Sequence, residues 1–234
     1  SGGSFTAAYY GLFGDRIFED FDQKFLKKNV QGGLTRRLLL RPDNWVRLFS
    51  PFFQRSDLAA EYYDKILFEK KTFRDMEARK GQSPMVHINA TDMVTGIRVA
   101  FHQDAFDILC SDLSSYPVAR AVTASSAVPV VLTPITLRNY SNDCGFTLPK
   151  EIERIRREHD ISSRSFHQLS NVDVYQDVAK HKYIHLVDGG VSDNLGLRAA
   201  LDRILALGSF WNTLKYLKLE NTRKVVIIVV NAET

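Results

Sequence analysis

Apolar side chains recur along this chain with two different periods, and the places where the period changes mark the predicted elements. From Phe5 through Leu12, and on through Ile17, Phe18 and Phe21, the apolar positions fall three and four residues apart. That spacing predicts a helix with one buried face. Residues 32–53 read as irregular and aromatic-rich, with Pro42 and Pro51 as breakers. Asp57 can cap a second helix on which Leu58, Tyr62, Ile66 and Leu67 share a face. Met85 to Ala90 and Ile97 to Phe101 read as strands, and Asp92 to Gly96 as the turn of a hairpin between them.

Farther along, Pro117 to Ala127 is rich in Ala and Ser and predicts a tightly packed helix that ends before Pro129, with an apolar run to Leu132 after it. Glu151 to Asp160 reads as a polar surface helix. Tyr183 to Val187 is a predicted strand ending at Asp188-Gly189-Gly190. Asn194 opens an apolar helix over Leu195 to Leu207, and Trp211 to Leu219 is a further helix. Val225 to Val230 is entirely β-branched and predicts a fully buried strand. With no internal repeat and no linker, residues 1–234 read as one unit. Apolar strands alternating with amphipathic helices predict an α/β layered sheet.

Composition narrows the class. The 234 residues are 44% hydrophobic and 25% charged, the balance of a globular protein with a real core. Thirty-one Lys and Arg against 27 Asp and Glu leave a net charge of only +4. The densest basic group, Arg154, Arg156 and Arg157, is interleaved with Glu151, Glu153, Glu158 and Asp160 and reads as a solvated helix face. Nucleic acid is therefore not an expected partner. Cys110 and Cys144 lack metal-ligand spacing, and the expectation is two free thiols, with a single bridge as the alternative. The chain opens on Ser1-Gly2-Gly3-Ser4 and stops just after its most hydrophobic strand, which reads as a partial domain.

The opening residues carry the first chemical signal. A serine hydroxyl attacks carbonyls only when a base takes its proton and donors hold the oxyanion. A serine crowded by glycines at a helix start meets the geometric part of that demand, because the helix N-terminus presents backbone N–H groups. Ser1-Gly2-Gly3, ahead of the Phe5 helix, has the form of the second half of G-x-S-x-G. A plain helix cap accounts for the same residues. Ser4 is the competing serine, but Thr6 stands where a glycine is expected two residues on, so Ser4 reads as the cap.

The partner base is constrained by chain order. All six histidines (His87, His102, His159, His167, His181 and His185) precede Asp188. A Ser-acid-His order built on Asp188 thus finds no histidine within these residues. A triad from Asp92 or Asp143 with His181 or His185 stays open, but a Ser–Asp dyad fits the order better. His185 lies on the Asp188 strand, where alternation turns it to the opposite face. Asp188 leaves a strand at a glycine pair, which suits a carboxylate at the sheet edge where α/β sites form. A tight Asp-Gly turn explains the same residues.

Ser1-Gly2-Gly3-Ser4, Ala124-Ser125-Ser126-Ala127-Val128-Pro129 and Val187-Asp188-Gly189-Gly190-Val191-Ser192-Asp193-Asn194 occur in that order. Together they resemble the patatin-like phospholipase family, most closely its bacterial members, over nearly the whole chain. The resemblance implies a three-layer α/β/α fold with a mostly parallel central sheet, here incomplete at both ends. It also implies hydrolysis of acyl esters in lipids, with Ser1 as nucleophile, Asp188 as its activating partner and no metal or organic cofactor. The family's upstream glycine-rich loop is not among these residues. Gly2 N–H is left as an oxyanion donor, and one such donor is worth about 3 kcal/mol. The piece alone is expected to be close to inactive and poorly folded.

Trp45, Val46, Leu48, Phe49, Pro51, Phe52 and Phe53 form an apolar segment bounded by Arg41, Arg47 and Arg55. It reads either as a patch that meets a lipid surface or as internal packing. The resemblance suggests a membrane-associated or secreted protein. Two other functions compete with a lipid hydrolase: an inactive domain that binds a membrane or partner, and a Ser-His-Asp esterase whose histidine lies beyond Thr234. Lipid class, positional preference and oligomeric state are not legible.

Overall fold

The computed structural model describes residues 2–40, 42–50, 53–147, 171–198, 201–202, 204, 209–216 and 218–230. Ser1, Phe52 and the polar segment 151–160 lie outside the described residues. Helix α1 spans Gly3–Phe13 and buries Phe5, Ala8, Tyr9 and Leu12, the face its spacing predicts. It stops at Gly14, whose φ of +59° favours glycine and whose N–H closes the last turn on the Tyr10 carbonyl. A short 3₁₀ turn leads into a wide-turned π-helix over Ile17–Leu26. Phe25 stacks on Phe5 at 4.6 Å and Phe21 meets Tyr9 at 5.1 Å. Both pairs of numbers sum to 30, so the second helix runs back along α1. The predicted single helix is a helical hairpin.

Most of the described residues between 32 and 48 are helical, not irregular as expected. Helix α2 covers Val30–Leu40 and α3 covers Pro42–Leu48. Pro42 is the first residue of α3, where its missing N–H has no partner to lose. Helix α4 spans Arg55–Tyr63. Asp57 caps it from inside, its carboxylate accepting from the Gln54 N–H at 2.9 Å while also pairing with Arg120. Helix α5, Phe73–Glu77, starts in the same manner: Asp75 Oδ2 accepts from the Thr72 N–H at 2.9 Å.

The hairpin forms, shifted toward its turn. Strand β1 is Asn89–Asp92 and β2 is Arg98–Ala100, antiparallel, with Ala90 opposite Val99. Helix α6, Gln103–Ile108, follows, and His102 caps it by accepting from the Ala105 N–H at 3.2 Å. Helix α7, Val118–Ser125, comes next. Strand β3, Ile135–Arg138, falls beyond the apolar run, and β4 is Tyr183–Asp188. The strands form one sheet in the order β2-β1-β4-β3.

All three strand pairings among the described residues are antiparallel. The helix-and-sheet architecture is α/β as expected, but the mostly parallel sheet is not what these strands form. Val225 to Val230, expected as a buried strand, has no regular secondary structure, is exposed and pairs with none of the described strands. A buried strand needs a neighbour for its backbone N–H and C=O groups, and hydrophobicity alone does not supply one.

Helix α7 lies at the centre. Val118, Ala119, Ala121, Val122 and Ala124 are all buried, and their small size lets it pack against α1, α4 and three of the strands together. The expected free thiols are instead a disulfide. Cys110, in the turn after α6, is bonded to Cys144 with a Cα–Cα distance of 5.5 Å. Composition does not reveal that these two turns meet. The bridge closes the stretch of chain that carries α7 and β3.

Candidate active site

Strand β4 ends at Asp188, and the chain turns at once into the single helical turn Gly190–Asp193. The backbone at this exit is tied to two distant parts of the sequence. The Asp188 N–H donates to the Ala127 carbonyl at 3.0 Å, and the Asp188 carbonyl accepts from Thr91 Oγ1 at 2.9 Å. Asp188 Oδ1 accepts from the Gly190 N–H at 2.7 Å, which orients the carboxylate. Thr91 is 1% exposed, and its hydroxyl also lies 2.9 Å from Ser192 Oγ.

The glycine pair has a different cause from the one its sequence suggests. Gly189 has φ −63° and ψ −25°, an ordinary right-handed conformation open to any residue. Space is what requires glycine. A Cβ on Gly189 would collide with the Asn89 carbonyl oxygen, and would stand 3.1 Å from the carbonyl carbon. On Gly190 it would approach Asp188 Oδ1 to 3.0 Å and Asn194 Oδ1 to 3.1 Å.

The start of α1 reaches the same place. Gly2, exposed and in helical conformation, occupies the cap position, and its carbonyl accepts from the Phe5 N–H at 3.2 Å. Ser4 is therefore not the cap that its position suggested. It is the second helical residue, and its hydroxyl lies 2.7 Å from Ser125 Oγ at the end of α7. The Ser125 carbonyl in turn accepts from the Gly189 N–H at 3.2 Å. Ser1 lies outside the described residues, but the residues that follow it converge with Asp188 on the C-terminal end of α7.

Of the residues in the alternative triads, Asp92 and His185 each bond to other partners. Asp92 is buried and accepts from Thr95 Oγ1 at 2.7 Å, from the Val94 N–H at 3.1 Å and from Tyr175 Oη at 3.3 Å. Burial, with the Asp92 charge beside it, pushes the Tyr175 hydroxyl well above its usual range. His185 bonds instead to Thr136 Oγ1 at 3.0 Å, across the β3–β4 pairing. Among the described residues, no three His, Cys, Asp or Glu side chains gather as a metal site would need.

Thr91 and Asn89 are the site-building residues that pattern reading missed. A threonine on a half-buried strand carries no signal until its partner strand is known. Ser125 stood in the small-residue run that supported the resemblance, without an assigned role.

No curated protein and no solved structure matches the chain. A protein-family model described as Patatin-like phospholipase matches residues 1–201 of the 234. That match takes in the first turn of α1, the end of α7 and the exit of β4 at Asp188. The chain belongs to the patatin-like phospholipase family.

Proposed function

We propose that this protein is a serine lipid acyl hydrolase whose Ser1 and Asp188 act as a dyad. The observation that carries the reading is the meeting at Ser125: this residue holds Ser4 through its hydroxyl and Gly189 through its carbonyl. Ser1 stands three residues before Ser4, and Asp188 immediately before Gly189.

In this mechanism Ser1 Oγ attacks the carbonyl carbon of a lipid acyl ester while Asp188 accepts the hydroxyl proton. The Gly2 N–H, at the positive end of α1, donates to the developing oxyanion. Collapse expels the alcohol, which takes the proton back from Asp188, and leaves an acyl-enzyme. Water, deprotonated by Asp188, then releases the fatty acid and restores Ser1. The step sequence calls for no metal or organic cofactor. A peripheral contact with the lipid surface is part of the proposal, supported by exposed Trp45 and Val46 on α3, Phe49 just after it, and Val130 and Val131 beyond α7.

The test is fluorophosphonate labelling of the full-length protein, with the modified peptide mapped by mass spectrometry and Asp188→Asn run beside it. Label at Ser1 that is lost in Asp188→Asn is the expected result. Label at another serine overturns the assignment of Ser1. No label on folded protein overturns the hydrolase and leaves a lipid- or partner-binding domain.

A further inference from the structure

We infer that Ser125 is a positioning residue, clamping the first turn of α1 to the exit of β4; the inference rests on the proposed dyad. Ser125 is 1% exposed and ends α7, so its backbone is fixed by a helix whose Val122 and Ala124 are also buried. It reaches two elements that are far apart in sequence. Its Oγ lies 2.7 Å from Ser4 Oγ, a contact across 121 positions in which either hydroxyl can donate. Its carbonyl accepts the Gly189 N–H at 3.2 Å.

The neighbouring carbonyls divide the labour. Ser126 Oγ turns back into α7 and donates to the Val122 carbonyl at 2.9 Å, so it binds only its own helix. Ala127, past the helix end, takes the Asp188 N–H. Ser125 is thus the residue of the run whose side chain crosses to α1 while its backbone crosses to β4. Gly189 lies beside this contact: a Cβ there would meet Ser125 Oγ at an ordinary 3.6 Å, but it would strike the Asn89 carbonyl and displace the turn that carries the Gly189 N–H. A nucleophile on one element and a base on another must hold a common geometry, and an error near 1 Å costs on the order of 100-fold in rate. A short helix end bonded to both supplies that common reference.

The experiment measures the fluorophosphonate labelling rate per folded molecule of the full-length protein, with the thermal midpoint and the pH profile of labelling. The variants are Ser125→Ala, Ser4→Ala, their double and Ser125→Thr. Loss of a hydrogen bond that positions the reacting groups predicts a labelling rate roughly tenfold lower in each single alanine variant. The double variant should be no slower than either single, because both remove the same bond. Ser125→Thr, which keeps the hydroxyl, should recover much of the rate. A lowered midpoint with an unchanged rate per folded molecule makes Ser125 merely structural and overturns the inference. Additive losses overturn it as well. If Ser125→Ala fails to fold, Ser4→Ala reads the same bond from its half-buried side. An unlabelled wild type overturns the dyad and the positioning role together, whereas a labelled wild type with indifferent variants overturns the positioning role alone.

Discussion

Gly189 and Asn89 are packed backbone against backbone: the Gly189 α-carbon faces the Asn89 carbonyl so closely that no β-carbon fits between them. The contact sits one residue beyond Asp188, where β4 leaves the sheet beside β1. Because Gly189 has an ordinary backbone conformation, replacing it tests space and not dihedral strain. Gly189→Ala should cost about 1–3 kcal/mol of stability by overpacking. It should also slow serine labelling on the order of 100-fold by displacing Asp188. Urea unfolding and the labelling rate check the two effects; an unchanged midpoint would mean the strands part without cost.

The Cys110–Cys144 bridge spans a sequence separation of 34 and encloses α7, the helix on which the candidate site is hung. Closing a loop of that size restricts the unfolded chain and is worth about 3–4 kcal/mol in the chain-entropy account. The Cys110→Ser, Cys144→Ser double variant should lose roughly that much, and the wild type should show the same loss in reductant. A midpoint indifferent to reductant would show that the thiols are not joined.

Phe49, just after α3, and Val130, beyond α7, are 86% and 90% exposed. The Val130 segment lies against the start of α4, where Arg55 reaches the Val130 carbonyl at 3.4 Å and the Ser56 N–H donates to Thr133 Oγ1 at 3.2 Å. By contrast Phe53 lies beneath the Arg47 guanidinium at 3.8 Å, so the aromatic segment is divided between packing and exposure. Phe49→Ser and Val130→Ser should each weaken binding to phosphatidylcholine–phosphatidylglycerol vesicles about tenfold. The stability change should stay within about 0.5 kcal/mol. Co-sedimentation and thermal melting decide it; a lowered melt with intact vesicle binding would assign these side chains to packing.

Asp20 ties the helical hairpin together. It accepts from the buried Tyr9 hydroxyl, from Arg16 Nε at 2.9 Å and from Lys24 Nζ at 2.8 Å. Burial opposes its ionisation, but the bonds from Lys24, Tyr9 and Arg16 outweigh it and hold the carboxyl at about 2, below its ordinary 3.8. A depressed carboxyl pKa contributes stability that is fully present above the unfolded value and lost as pH falls through the folded one. The contribution should therefore fade between about pH 4 and pH 2. Asp20→Asn should be less stable at neutral pH and should lose less on acidification across that window, as urea midpoints from pH 2 to 6 will show. Parallel pH slopes for the two proteins would remove Asp20 from the account.

Much of this protein is legible along the chain. The buried face of α1, the β1–β2 hairpin, the small-residue helix α7 and the strand ending at Asp188 all follow from side-chain period and from Gly and Pro. These are local properties, set by residues within a few positions of one another. Folding alone decided the reversal at Gly14, the Cys110–Cys144 bridge, the antiparallel pairing of β4 with β1 and β3, and the exposure of Val225 to Val230. Each depends on which distant groups meet, or fail to meet, in the folded chain. The same holds for the candidate site. Asp188 and its glycines announce a turn, but nothing local foretells that Gly189 must make room for Asn89, or that Ser125 bonds both Ser4 and the end of β4. Hydrophobic period records which side of an element is buried; which partner buries it is a property of the packed whole.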